Sequence, residues 1–447
     1  MTPELIKRYA APVPRYTSYP TANHFSAAIT EEHYRGWLAT LPADAALSLY
    51  VHIPYCRELC WYCGCSTKAV RRYQPVADYL APLVGEIDAV GGLVPAGHCV
   101  RHVHWGGGSP DILSASDILR LGQALRARFT VAADGEFAVE IDPRLLREDQ
   151  ADSFAAVGVN RVSIGVQDFD EAVQRAIGRI QSFETTRRAA EIFRGRGVAS
   201  INMDLVYGLP GQTEDSLART LDQVLALQPD RAAVFGYAHL PDRLKHQRLI
   251  DETTLPGPVE RFAQARLIAR RLVEAGYVEI GIDHFARPED SLAKAAPARN
   301  FQGYTTDKAD ALLGFGASAI SRLPQGFAQN AVAVDDYTRR ISGGELGTVR
   351  GHEMQGDDNL RAALIEQLMC GFAVSWRDLA DQFGSSVERV RQEAEDCARG
   401  DEDAFVDISE EGIRITDRGK PFVRTICAVF DPYLSREVAR RRHAIAV

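Results

Sequence analysis

From residue 48 onward, short apolar stretches alternate with longer segments in which apolar side chains recur every three or four positions. The stretches 48–53, 101–105, 136–141, 161–166, 200–206 and 231–237 have the length and apolar content of strands buried on one or both faces. Between them, 76–90, 117–127, 171–177, 185–194 and 215–226 carry the helical period. This alternation predicts six strand–helix units and a parallel sheet with right-handed crossovers. An open sheet and a partial barrel satisfy it equally, and both gather chemistry at the C-terminal ends of the strands. The unusual residues keep that phase: a cysteine-rich loop follows the first stretch, Gly106, Gly107 and Gly108 the second, and Glu140 nearly ends the third. Gln167 follows the fourth, Asp204 lies late in the fifth, and Ala238 and His239 follow the sixth.

The second half of the chain changes character. A long helical segment, 259–275, leads to a further strand at 277–282 and then to a polar, proline-containing stretch. Residues 343–356 read as a linker. Beyond them, helical patterns at 360–372, 376–383 and 387–399 precede two strand-like pieces at 405–408 and 412–416, the layout of a winged-helix-like unit. Residues 357–447 hold 18 acidic and 13 basic side chains, the wrong sign for DNA, so a packing role is the better reading. The expected organisation is an N-terminal segment (1–45), an α/β domain (46–342) and a small helical plus β-hairpin domain (357–447).

Charge and cysteine usage narrow the chemistry. The 447 residues carry 60 acidic against 51 basic groups, a formal charge of −9, which opposes general nucleic-acid binding. An anionic ligand would need a local basic site. The N-terminus lacks an apolar signal-peptide core, and no run approaches the ~18 apolar residues of a membrane span, so a cytoplasmic protein is expected. Four of the eight cysteines, Cys56, Cys60, Cys63 and Cys65, fall within ten residues. In a reducing compartment such crowding reads as metal or redox chemistry. The spacing C-x3-C-x2-C supplies three thiolates for three irons of a [4Fe–4S] cluster, leaving the fourth iron open. A structural zinc site is the competing reading, but no second C-x2-C pair follows, and His52 belongs to the first strand.

A C-x3-C-x2-C loop after a first strand, with the aromatic Tyr62 before its third cysteine and Gly106–Gly108 after the second strand, resembles the radical S-adenosylmethionine (SAM) superfamily. Finer motifs narrow the resemblance. They include Pro14-Arg15-Tyr16-Thr17-Ser18-Tyr19-Pro20, Cys63-Gly64-Cys65, His104-Trp105-Gly106-Gly107-Gly108-Ser109-Pro110, Gly165-Val166-Gln167-Asp168-Phe169 and Asp204-Leu205-Val206-Tyr207-Gly208-Leu209-Pro210. Further along lie Tyr237-Ala238-His239-Leu240-Pro241, Asp283-His284-Phe285-Ala286-Arg287-Pro288, Arg299-Asn300-Phe301-Gln302-Gly303-Tyr304-Thr305 and Gly316-Ala317-Ser318-Ala319-Ile320. Together, over nearly the whole chain, these are similar to the oxygen-independent coproporphyrinogen III oxidases. Ser109 stands where Thr is usual, Trp61 and Tyr62 replace other aromatics, and Gly236 replaces Asn.

The resemblance implies a partial (β/α)6 radical SAM barrel and an oxidoreductase, a coproporphyrinogen dehydrogenase by chemistry. Two propionates of coproporphyrinogen III would become vinyl groups with loss of carbon dioxide, giving protoporphyrinogen IX for haem biosynthesis. It implies Cys56, Cys60 and Cys63 as cluster ligands, and Tyr50, Gly107, Glu140 and Ile320 around one SAM. Tyr62, Gly108, Ser109, Gln167, Arg179, Asp204 and Ala238 map onto a second SAM, which is either a cofactor position or an overlap with the substrate's. Cys65 is left without an iron to serve and is either redox-active, structural or packed behind the loop. Arg15, Arg179, Arg287 and Arg299 are candidate partners of the substrate's propionates. The segment 15–22 is either a lid or a strap. A low-potential flavodoxin or ferredoxin is the implied electron donor, and a monomer the implied state. Haem chaperones of the same family, the alternative reading, generally lack a cysteine at the position of Cys65 and the 15–22 segment; both are present here.

Overall fold

The computed structural model of the chain describes residues 1–434; the remainder of the expected C-terminal domain, 435–447, lies outside the described residues. Six strands form the centre of the fold: β1 (Ala46–Ile53), β2 (Cys99–Gly107), β3 (Thr130–Ile141), β4 (Arg161–Gln167), β5 (Ser200–Tyr207) and β6 (Arg231–Gly236). They pair in chain order and all run parallel. The six expected strand–helix units are therefore present.

Both edges of this parallel set are extended. Beside β6, the short strands β7 (Val278–Ile280) and β8 (His284–Ala286) add in antiparallel sense, β8 next to β6. Beside β1 lie β9 (Ala311–Phe315), which is parallel to it, and then β10 (Ile320–Leu323), β11 (Gly326–Asn330) and β12 (Thr348–Glu353). The resulting twelve-stranded sheet runs β12-β11-β10-β9-β1-β2-β3-β4-β5-β6-β8-β7, and its two ends do not join. A partial barrel with an added flap describes it.

Strand β1 shows why the sequence folds this way. Leu47, Leu49, Val51 and Ile53 are 0–1% exposed and pack into the main core, while Ser48, Tyr50 and His52 alternate onto the inner face. Helix α1 (Gln74–Gly91) buries Val76, Tyr79, Leu80, Leu83, Ile87 and Val90, an i, i+3, i+4 stripe laid on the sheet. Helices α2 (Ala115–Arg128), α3 (Glu148–Ala156), α4 (Phe183–Arg194) and α5 (Glu214–Ala226) follow their strands. Ser114 and Ser182 cap α2 and α4 by accepting from the third residue of each helix. A long helix, α6 (Pro258–Glu274), closes this half. Among the described residues, no helix is long and apolar enough to cross a membrane.

Three expectations change. The segment 343–356, expected as a linker, carries β12, the edge strand of the main sheet. Its glycine signals close approach: a side chain on Gly351 would collide with the Phe327 carbonyl and Ile29. Among the described residues, the C-terminal unit has three strands rather than two, because Ala373–Ser375 pairs with Gly412–Ile415, which also pairs with Val406–Ile408. Phe372, at φ 55, ends the preceding helix in a left-handed cap and frees those residues to extend. Finally, the 15–22 segment packs on the C-terminal unit rather than on the barrel, while Arg15 at its start lines the large cavity. Tyr16 and Tyr19 are buried with Leu5, Ile6 and Val13 in the core of the C-terminal unit, and the Tyr16 hydroxyl donates to Asp431.

Candidate active site

The cysteine loop leaves the C-terminal end of β1 and is tied down at several points. Lys68 and Val70 donate to the Pro54 and Cys56 carbonyls, and the Trp61 amide donates to the Ile177 carbonyl at 2.9 Å. The Gln247 amide holds the Tyr62 and Ala238 carbonyls at 3.0 and 3.1 Å. Anchored this way, Cys56, Cys60, Cys63 and Cys65 all line one cavity of about 720 Å³ at the strand ends. Cys65 is exposed beside it, and its amide donates to Cys63 Sγ at 3.4 Å. Two guanidiniums flank Cys60, Arg179 Nη1 at 3.5 Å and Arg144 Nη2 at 3.8 Å.

Among the described residues, no three His, Cys, Asp or Glu side chains converge closely enough to ligate a single ion, as a zinc site would require. The thiolates of an iron–sulfur cluster each take a different iron and need no such convergence. His52 has other duties: Nδ1 meets the Tyr50 hydroxyl at 3.0 Å and Nε2 the Ser66 carbonyl at 2.8 Å.

The glycine triplet is a cradle. A Cβ on Gly106 would collide with the Glu140 carboxylate, and one on Gly107, which sits at φ 110, with the His52 ring. Glu140 accepts from the Gly107 amide at 3.1 Å and meets His104 Nε2 at 3.0 Å. Burial pushes the Glu140 pKa up, but His104, the Gly107 amide and His52 outweigh it, so the group sits below the usual range and is ionised at neutral pH. Tyr50, Glu140 and Ile320 line a smaller cavity of about 200 Å³ beside the larger one. Gly107 and Glu140 line the larger, so Glu140 faces both.

The remaining expected residues, Tyr62, Gly108, Ser109, Gln167, Arg179, Asp204 and Ala238, also line the larger cavity. Arg179 is already engaged, donating to Asp142 at 3.2 and 3.3 Å and to the Gly165 carbonyl at 2.8 Å; among the described residues its Nε has no hydrogen-bond partner. Asp204 accepts from Ser163 and Asn202 at 2.7 and 2.8 Å, and burial raises its pKa. Of the candidate propionate partners, Arg15 and Arg179 line this cavity. Arg287 does not: it lies over the Tyr277 ring and donates to the Pro229 carbonyl at 3.0 Å. Arg299 lies elsewhere too, over the Tyr304 ring.

Several residues escaped the sequence reading. Asp142 and Arg144 stand just past the third predicted strand, in phase with the other strand-end residues. Arg161 and Arg231, the first residues of β4 and β6, enter the cavity lining from the base. Buried Glu86, in α1, accepts from the Gly316 amide, Asn330 and Tyr337 at 2.6–2.7 Å and so fixes the loop before Ile320.

Comparison with known proteins completes the picture. Residues 50–224 match the model of the radical SAM superfamily, and 354–422 that of the HemN C-terminal domain. The chain is 46% identical over 439 residues, 97% of each chain, to a Bradyrhizobium diazoefficiens protein named oxygen-independent coproporphyrinogen III oxidase. A relative of the same name in Escherichia coli is 41% identical over 442 residues, 98% of this chain and 96% of its own. The solved structure of the E. coli coproporphyrinogen III oxidase, described as a radical SAM enzyme, matches with a TM-score of 0.91 at 39% identity, covering 96% of this chain and 98% of that one.

Proposed function

Because this chain belongs to the oxygen-independent coproporphyrinogen III oxidases, radical SAM enzymes, we propose that its large cavity converts two propionates of coproporphyrinogen III to vinyl groups, yielding protoporphyrinogen IX. The observation that carries this reading is the convergence of Cys56, Cys60, Cys63, Gly107 and Glu140 on one cavity at the C-terminal ends of six parallel strands. Each conversion removes one hydrogen atom, one carbon dioxide and one electron, and the C–H bond concerned is beyond the reach of side-chain acids and bases. When bound, a [4Fe–4S] cluster and SAM supply a 5′-deoxyadenosyl radical able to break it.

The chain's own residues bind, orient and shield. Cys56, Cys60 and Cys63 hold the cluster, with Arg144 and Arg179 positioned against Cys60 Sγ. The Gly107 backbone, Tyr50, Glu140 and Ile320 hold one SAM, the ionised Glu140 accepting hydrogen bonds from hydroxyl groups. Tyr62, Gly108, Ser109, Gln167, Arg179, Asp204 and Ala238 form the second wall, for another SAM or for substrate. A low-potential flavodoxin or ferredoxin delivers the electrons to a monomeric, cytoplasmic enzyme of haem biosynthesis.

The experiment is anaerobic reconstitution with iron and sulfide, followed by assay of coproporphyrinogen turnover. Haem binding without decarboxylation would favour the haem-transfer reading instead. In the same assay Cys60→Ser abolishes cluster absorbance and turnover; a full cluster in that variant would refute the ligand assignment.

A further inference from the structure

A second cavity, of about 460 Å³, lies where α6 and the β7–β8 hairpin meet the C-terminal unit. Its lining includes six basic side chains, Arg15, Arg261, Arg266, Arg299, Lys420 and Arg424, against three acidic ones, Glu279, Asp283 and Asp417. Asp417 is already paired with Lys420 at 2.7 Å, and Asp283 with His284 at 2.7 Å. This is a concentrated positive site in a chain of net charge −9.

Arg299 is the telling residue. Its side chain is 3% exposed; Nη2 donates to the Arg15 carbonyl at 3.4 Å, but among the described residues Nε and Nη1 have no hydrogen-bond partner, and the nearest carboxylate, Asp283, stands 3.7 Å from Nη1. A guanidinium buried with open donors is costly unless something completes it. The environment agrees: burial and the neighbouring Arg15 and Arg299 charges press the Arg424 pKa down to about 9.

Position supplies the ligand class. Arg15 and Gly236 line both this cavity and the larger one, and Arg15 bridges them by donating to the Gly236 carbonyl at 2.7 Å. Coproporphyrinogen III carries four propionates, of which the proposed reaction consumes two. The cysteine end of the large cavity must receive the reacting arms, so the arms that survive need anchorage elsewhere. A planar guanidinium with open N–H donors, as on Arg299, suits a carboxylate. We propose that the arginine pocket is a carboxylate-recognition site that holds the propionates left intact by the reaction. This deepens the function proposed above and rests on it.

The test is a titration of the anaerobically purified full-length holoenzyme with coproporphyrin III, the oxidised, stable form of the substrate. Arg299→Gln is expected to weaken binding by about tenfold or more, the scale of a lost charge-assisted bond. Arg15→Gln, at an exposed position, does the same and serves if Arg299→Gln does not fold. The tetramethyl ester of coproporphyrin III, without carboxylates, binds weakly and equally to all three proteins. Undiminished coproporphyrin III binding by both variants overturns the assignment. So does citrate binding that Arg299→Gln abolishes while porphyrin binding is untouched, since the pocket would then serve a free carboxylate. A wild-type enzyme that binds no coproporphyrin III contradicts the proposed function instead.

Discussion

Arginines are buried in two places, and the two clusters differ in how far they neutralise themselves. At the base of the barrel, Arg161 and Arg231 share Glu136 at 2.9 and 3.2 Å, and Arg231 also holds Asp290 at 2.7 Å. Each of these four side chains is less than a fifth exposed. At the seam with the C-terminal unit, Arg261, Arg299 and Arg424 are buried as deeply, with basic side chains exceeding acidic ones around them. The first cluster balances its own charge, two guanidiniums against two carboxylates, and ties β3, β4 and β6 together. In the second, basic side chains outnumber acidic ones among the described residues and two donors of Arg299 stay open, which is where the proposed carboxylate binds. Similar burial thus accompanies opposite roles, and charge balance separates them.

Breaking the closed cluster carries the largest effect. Arg231→Met strands Asp290, leaves Glu136 with Arg161 alone, and is expected to cost about 3–5 kcal/mol of unfolding free energy by chemical denaturation. A loss no larger than that of an exposed arginine would end the distinction.

The pH dependence comes next. Burial raises the Glu136 pKa, but Arg161, Arg231 and His102 outweigh it and bring it to about 2. A carboxylate depressed in the folded state stabilises above its unfolded value and loses that contribution as pH falls through the folded one. Glu136 therefore contributes about 3 kcal/mol above pH ~4.5, lost as pH falls towards 2. The stability gap between wild type and Glu136→Gln, followed from pH 7 to pH 3, should narrow; a constant gap would contradict the network.

The smallest expected effect is at the seam. Arg299→Met removes an incompletely paired buried charge and is expected to change the stability of the ligand-free protein by less than about 1.5 kcal/mol, in either direction. A cost equal to that of Arg231→Met would mean the seam cluster is structural as well.

The sequence made the strand ends legible because both signals there are local. Hydrophobic period located the six strands, and the phase of Cys56, Gly107, Glu140, Gln167 and Asp204 along them located the cavity. What it hid was non-local. Tyr16 and Tyr19 looked able to cover the site because nothing near them in the chain says that they bury against Leu364 and Phe430, over 300 positions away. Arg287 and Arg299 shared motifs with site residues yet face other surroundings, since a motif fixes backbone position before side-chain direction. The strand Thr348–Glu353 was masked by glycines that tight strand packing, rather than flexibility, demands. Glu86 read as one polar residue in an amphipathic helix; only the fold brings the Gly316 amide to it.

The central claim is that the cavity at the strand ends performs SAM-dependent oxidation of coproporphyrinogen III. Its most direct test is to incubate the anaerobically reconstituted, reduced protein with SAM and coproporphyrinogen III, then quantify 5′-deoxyadenosine and protoporphyrinogen IX together. The account predicts that both accumulate and that neither forms with Cys60→Ser. Deoxyadenosine-free, product-free mixtures from protein carrying its full complement of iron and sulfide would contradict it.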